Sequence, residues 1–193
     1  MENFEKNELA KMVLAPYVQK ATALRGKFRY TGGNQFRHAI STFAILLDYH
    51  YIDPVLLKAS FIHDIFEDVK CVSPEDIINL DGDGQKVYDL VQEVTKQPGE
   101  TKPEFLERIL KKGSTLAKIL KCADRISNVT DLHTDIFDKE YIRNYLEETK
   151  QYVLPMAEEV NQNMFFELKD LIHRRESHFR APVHIWPLKR SDG

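Results

Sequence analysis

The chain has 193 residues, an apolar fraction of 42%, a charged fraction of 30% and a formal net charge of −3. That length holds one domain with a sizeable core, and the composition is that of a globular rather than a disordered chain. The charge leaves no footprint for non-specific nucleic-acid binding. No run approaches the roughly 18 uninterrupted apolar residues of a membrane span, so neither nucleic acid nor membrane is an expected partner.

Helical periodicity dominates. Leu9, Met12, Val13, Tyr17, Ala21 and Leu24 recur on one side of a first helix ended by Gly26, with Pro16 inside it as a bend or break. Lys27 to Gln35 is loop-like, with Thr31-Gly32-Gly33-Asn34 as a turn signal. Ile40, Phe43, Ala44 and Leu47 mark a second helix carrying His38 near its start. Asp53 and Pro54 cap and open a third that runs into His63-Asp64. Ser73-Pro74-Glu75-Asp76 opens a short helix to about Leu80. The Asp81-Gly82-Asp83-Gly84 turn lacks the further ligands of a calcium loop and reads as a helix-to-helix turn. Val87, Leu90, Val91 and Val94 stripe the next helix, and Pro103 starts another with Phe105, Leu106, Ile109 and Leu110. Ser114 caps a long helix with Leu116, Ile119, Leu120, Ala123, Ile126 and Val129. Two late helices are expected near Lys139–Leu154 and Pro155–Arg174. The predicted fold is therefore an all-α, single-domain helical bundle over residues 1–176, followed by an irregular tail over 177–193 that contains Pro182, Trp186 and Pro187. That tail leaves a homo-oligomer open. Cys71 and Cys122 sit among apolar residues and read as reduced core side chains of a cytoplasmic protein. The start, Met1 to Lys6, has no signal-peptide pattern.

The polar residues on these helices carry the chemistry. His63-Asp64, with His38 upstream and Asp124 downstream, supplies two imidazoles and two carboxylates, a set that suits one hard or borderline divalent cation. Asp124 stands in the apolar run Ile119 to Ala123, where an acid is costly unless paired or bound to a cation. Residues four apart share a helix face, which pairs His63 with Glu67, Asp64 with Asp68, and Asp124 with Asn128. A cation flanked by spare carboxylates is equipment for activating water against a phosphate ester or anhydride. His50, His133, His173, His178 and His184 have no partner pattern and read as ordinary packing or surface.

The order His…His-Asp…Asp resembles that of the HD phosphohydrolase superfamily. More narrowly, the chain resembles the hydrolase domain of the Rel/Spo family, from about Ala21 to Leu171. His63-Asp64-Ile65-Phe66-Glu67-Asp68 is similar to its His-Asp-x-x-Glu-Asp motif, and Val94-Thr95-Lys96 to its Val-Thr-Lys element. Lys121-Cys122-Ala123-Asp124-Arg125-Ile126-Ser127-Asn128 is similar to its Lys-Leu-Ala-Asp-Arg-x-x-Asn segment. A later helical signature is matched by Glu148-Thr149 and Leu154-Pro155-Met156-Ala157. The resemblance implies an HD-type bundle whose His38, His63, Asp64 and Asp124 hold manganese. Glu67 and Asp68 would orient and deprotonate the attacking water. Asn128 would contact the ribose and Arg29 the purine base, with Lys121, Arg125, Lys96 and Arg37 as either further cations near a phosphate or solvated helix faces. The substrate would be a phosphorylated nucleotide, the alarmone (p)ppGpp losing its 3′-pyrophosphate.

The chain also departs from that pattern. His38-Ala39 replaces His-Pro, and Tyr30-Thr31 replaces a Lys-Ser pair after the arginine. Thr31 to Phe36 replaces a Gly-Glu-Pro-Tyr loop, and Asp131 replaces a threonine. These changes spare the metal chemistry and bear on the substrate. NADPH 2′-phosphate or another nucleotide stays open as the substrate, as does a non-catalytic nucleotide-sensing or partner-binding module. There is no room for the family's synthetase domain, so a stand-alone hydrolase is expected.

Overall fold

The computed structural model describes residues 3–133 and 138–180. Among them there is no strand, only an isolated bridge between Phe28 and Asn34, and the fold is the expected all-α domain. No described helix is long and apolar enough to cross a membrane.

Pro16 splits the expected first helix. It becomes α1 (Asn3–Lys11), α2 (Ala15–Ala21) and a 3-10 turn (Thr22–Gly26), and Val13 at the break is exposed. Helix α3 (Gln35–Asp48) starts at the cap Asn34, whose side chain accepts the Arg37 N–H. Its inward face is not the expected one. His38, Ala39, Thr42 and Leu46 are buried, while Ile40 and Ala44 are exposed. The polar members of that face are satisfied internally: Thr42 Oγ1 donates to the His38 carbonyl at 3.1 Å.

Helix α4 (Pro54–Ile62) begins as read, with Asp53 accepting the Leu56 N–H at 2.8 Å. It stops at Ile62; His63 and Asp64 form a turn, and the single turn α5 (Ile65–Asp68) follows. Helices α6 (Glu75–Ile78) and α7 (Gly84–Val94) flank the Asp81–Asp83 turn. There Lys58 Nζ lies 2.7 Å from Asp81 and 2.6 Å from Asp83, so an ammonium ion fills the place a calcium ligand reading would need. Helix α8 (Lys102–Lys112) opens on a reciprocal Thr101–Glu104 capping box.

The centre of the bundle is α9 (Thr115–Thr130), capped by Ser114, with α3, α7 and the later helices α11 (Leu154–Val160) and α12 (Gln162–Arg180) packed around it. Helix α10 (Lys139–Glu148) runs through a π-helical stretch (Thr149–Val153) into α11 (Leu154–Val160). The expected break between Leu154 and Pro155 is therefore absent. Pro155 sits in a first turn, where its missing N–H is tolerated, and the chain breaks instead at Asn161, which is extended at φ −162°. Helix α12 (Gln162–Arg180) passes Arg174 and Ser177 without interruption, so the expected irregular tail does not begin at 177. No proline or glycine occurs between Gln162 and Pro182, and Pro182 lies with His184, Trp186 and Pro187 outside the described residues. Cys122 is buried as expected, but Cys71 is exposed, on a loop residue at φ 70°.

Candidate metal centre

Three elements deliver the four candidate ligands to one place. His38 comes from the first turn of α3, His63 and Asp64 from the turn after α4, and Asp124 from the middle of α9. His38 Nε2 is 3.0 Å from Asp124 Oδ1 and 3.7 Å from Asp64 Oδ2. His63 Nε2 is 3.2 Å from Asp64 Oδ2 and 3.9 Å from Asp124 Oδ1. One donor atom each from His38, His63 and Asp124 falls within 4.8 Å of the others.

Hydrogen bonds on the far ring nitrogens aim both imidazoles inward. His63 Nδ1 lies 2.8 Å from the Ser60 carbonyl. A carbonyl only accepts, so Nδ1 carries a proton. His63 Nε2 is left buried with no hydrogen-bond partner, misaligned with Asp64. His38 Nδ1 meets Ser127 Oγ at 3.0 Å. An imidazole nitrogen buried without a partner is expensive; beside two carboxylates it is the nitrogen that a cation would take in exchange for a proton. The donor set and its outer partners fit a divalent metal ion. Electrostatics agree. Burial pushes the His63 imidazole down, but Asp64 and Asp124 outweigh it and lift it to about 9. Burial likewise opposes the charge on Asp64, which His63 nonetheless holds at about 2, and Asp124 is held well below the usual carboxylate range by Lys121 and the two imidazoles.

The break at Asp64 corrects the expected helix-face pairing of His63 with Glu67 and of Asp64 with Asp68. The two acids of α5 stand in different settings. Asp68 Oδ1 pairs with Lys27 Nζ at 3.0 Å. Glu67 Oε1 accepts the Lys96 N–H at 2.9 Å. Desolvation by the packed atoms around it, with the negative Asp64 and Asp124, lifts the Glu67 carboxyl above its ordinary value.

The remaining candidates separate. Arg29 Nη2 donates to Asn128 Oδ1 at 2.8 Å, and Asn128 Nδ2 donates to Asp124 Oδ1 at 2.6 Å. Lys121 Nζ is 2.7 Å from Asp124 Oδ2 and stays beside the cluster. Arg125 does not. It is 2% exposed, donates to Glu148 at 3.1 Å and Thr149 at 3.0 Å, and stacks on Tyr145 with its guanidinium 4.2 Å from the ring centroid. Its guanidinium is engaged by these partners rather than by the cluster. Arg37 is exposed, 4.0 Å from Asp131. Sequence reasoning missed Ser127, the Ser60 carbonyl, Lys27 and Gln35, whose Nε2 donates to Asp64 Oδ2 at 2.7 Å. Nothing in the local pattern singles them out; each matters only through a partner from another element.

Next to the cluster lies a cleft of about 250 Å³ whose lining includes Phe28, Arg29, Tyr30, Asn128, Tyr141 and Tyr145. Phe28 to Asn34 makes a tight hairpin, with Arg29 N–H donating to Gly33 O and Gly32 N–H to Arg29 O. Gly32 takes φ 87°, the left-handed position this loop needs. Arg29 Nε and Thr31 Oγ1, both of cleft-lining residues, are buried without partners, as is His63 Nε2.

No protein-family model matches the chain, and no curated protein does. Among solved structures it is similar to one described as a metazoan ortholog of SpoT that hydrolyzes ppGpp and plays a role in starvation responses. The TM-score is 0.73 at 25% identity, over 84% of this chain and 94% of that one. The likeness to ppGpp hydrolases read from short motifs is thus also a likeness of fold.

Proposed function

We propose that the protein is a metal-dependent phosphohydrolase that removes the 3′-pyrophosphate of (p)ppGpp, giving GDP or GTP and pyrophosphate. The observation that carries the reading is the junction of His38, His63, Asp64 and Asp124 with an aromatic-lined cleft through Asn128, a neighbour of both. The likeness to a ppGpp-hydrolysing protein supports the choice of substrate. A divalent cation held by those four side chains, manganese by family resemblance, would acidify water and offset charge on phosphoryl oxygens.

The chain's own groups supply the rest. Glu67, with its raised carboxyl, is the better acid–base partner for the attacking water, since Asp68 is engaged by Lys27. Lys121 neutralises Asp124 and adds positive charge near the phosphate. Arg29 lines the cleft and sets a guanidinium beside the nucleotide, and Phe28 and Tyr30, 82% and 87% exposed, offer ring faces to a base. Asn128 both lines the cleft and bonds to Asp124, a position suited to the ribose.

Pyrophosphate release from ppGpp with Mn²⁺, with EDTA, and by Asp64→Ala tests the reading. Turnover surviving both EDTA and the substitution would end it. A second reading, removal of the NADPH 2′-phosphate, uses the same metal chemistry, and the exposed Phe28 and Tyr30 rings do not discriminate between the two bases. A panel of ppGpp, NADPH and nucleoside monophosphates separates the two.

A further inference from the structure

Arg29 belongs to a run of hydrogen bonds that the hydrolytic reading does not require. Gln35 Oε1 accepts from Arg29 Nη1 at 3.0 Å, while Gln35 Nε2 donates to Asp64 Oδ2 at 2.7 Å. On the other side, Asn128 accepts from Arg29 at 2.8 Å and donates to Asp124 at 2.6 Å. A guanidinium only donates and a carboxylate only accepts. Each amide is therefore an adaptor, and together they tie one cation in the cleft to both carboxylates of the cluster.

Gln35 is held for this task. It is the first residue of α3, behind the Asn34 cap, and its N–H donates to the Lys27 carbonyl at 2.8 Å, closing the hairpin that carries Arg29. The same helix presents His38 three residues later. A glutamate at 35 would accept from Arg29 but set a second negative charge against Asp64. A leucine would serve neither neighbour.

We propose that Gln35 is a metal-positioning residue, and that through it Arg29 in the cleft helps hold the Asp64 carboxylate toward the cation. The inference rests on the metal reading given above. It assigns Gln35 no contact with substrate; it acts through Asp64.

The test is Mn²⁺ binding to the full chain, read as loss of the free-ion electron paramagnetic resonance signal, without nucleotide. Gln35→Leu is expected to weaken binding by about ten- to a hundredfold, the range for outer partners of metal ligands. Arg29→Met is expected to weaken it too, although Arg29 is one amide removed from Asp64. The double variant should fall short of the product of the two losses, because one path is cut twice. Gln35→Met, of similar length, replaces Gln35→Leu where thermal melting shows the latter unfolded. Wild-type affinity in the Gln35 variant, or losses that multiply independently, overturns the proposal. A wild-type protein that binds no Mn²⁺ overturns the metal reading itself, so the two failures are distinct.

Discussion

Ser127 and His38, 89 positions apart, meet at 3.0 Å between Oγ and Nδ1, and this contact aims the other ring nitrogen of His38 at Asp124. Outer partners of this kind fix the orientation of a ligand and raise its basicity. Ser127→Ala should therefore lower Mn²⁺ affinity by about ten- to a hundredfold with little loss of melting temperature. Calorimetric titration checks it; unchanged affinity would mean that packing alone orients the ring.

The pH response of the metal-free protein follows from His63. Its imidazole is raised from 6.5 to about 9 by Asp64 and Asp124, against the opposing effect of burial. A group raised in the folded state adds stability that is fully present below its unfolded value and lost as pH rises through the folded one. In EDTA, the melting temperature should fall between pH 6.5 and about 9. A cation must displace the same proton, so Mn²⁺ affinity should climb across that window. Thermal melts with EDTA and with Mn²⁺ should diverge as pH rises; parallel curves would contradict the assignment.

Arg125 separates structure from catalysis. Its guanidinium is buried against Glu148, Thr149 and Tyr145. Arg125→Met should cost roughly 3 kcal/mol, because Glu148 and Thr149 lose their buried partner. The KM of the protein that remains folded should not change. Denaturant unfolding and steady-state kinetics provide the check, and a raised KM at full stability would return Arg125 to the substrate.

The turn before α7 is a second stability element. Asp81 accepts from Tyr17 at 2.8 Å and pairs with Lys58 at 2.7 Å. Burial works against its charge, but these partners hold its carboxyl below the ordinary value. That stability is present above the unfolded carboxylate range and lost as pH falls through the folded value. Asp81→Ala should cost on the order of 1–3 kcal/mol at neutral pH, from the Tyr17 hydroxyl left short of an acceptor. The deficit should shrink in acid. Urea midpoints at neutral and acidic pH measure it, and a constant deficit would exclude the ionic part.

Where a structural decision is local, it was legible in the sequence. The caps Asp53 and Ser114 act on N–H groups three residues on, and Pro16 opens the first turn of α2 just after the break at Met12 to Leu14. His38, His63, Asp64 and Asp124 were legible for another reason: acids and imidazoles among apolar residues are costly without a shared purpose. The inward face of α3 was not legible. Polar His38 and Thr42 turn inward there, and Ile40 turns out, because His38 finds Ser127 and Asp124 on α9 and Thr42 bonds back to His38, partners that apolar content does not reveal. The end of α4 at Ile62 was hidden too, since nothing in the Phe61-Ile62-His63-Asp64 run forbids helix.

The sequence by itself therefore determined the helical class, most helix starts and the four side chains fit to hold a cation. Only the tertiary structure decided that Arg125 is committed to the core, that Asp68 is paired while Glu67 is raised, and that Gln35 and Ser127 stand behind the ligands. The physical reason is one of range. Capping and periodicity act within a turn or two of helix, whereas a hydrogen bond between residues 29 or 89 positions apart exists only once the helices have packed.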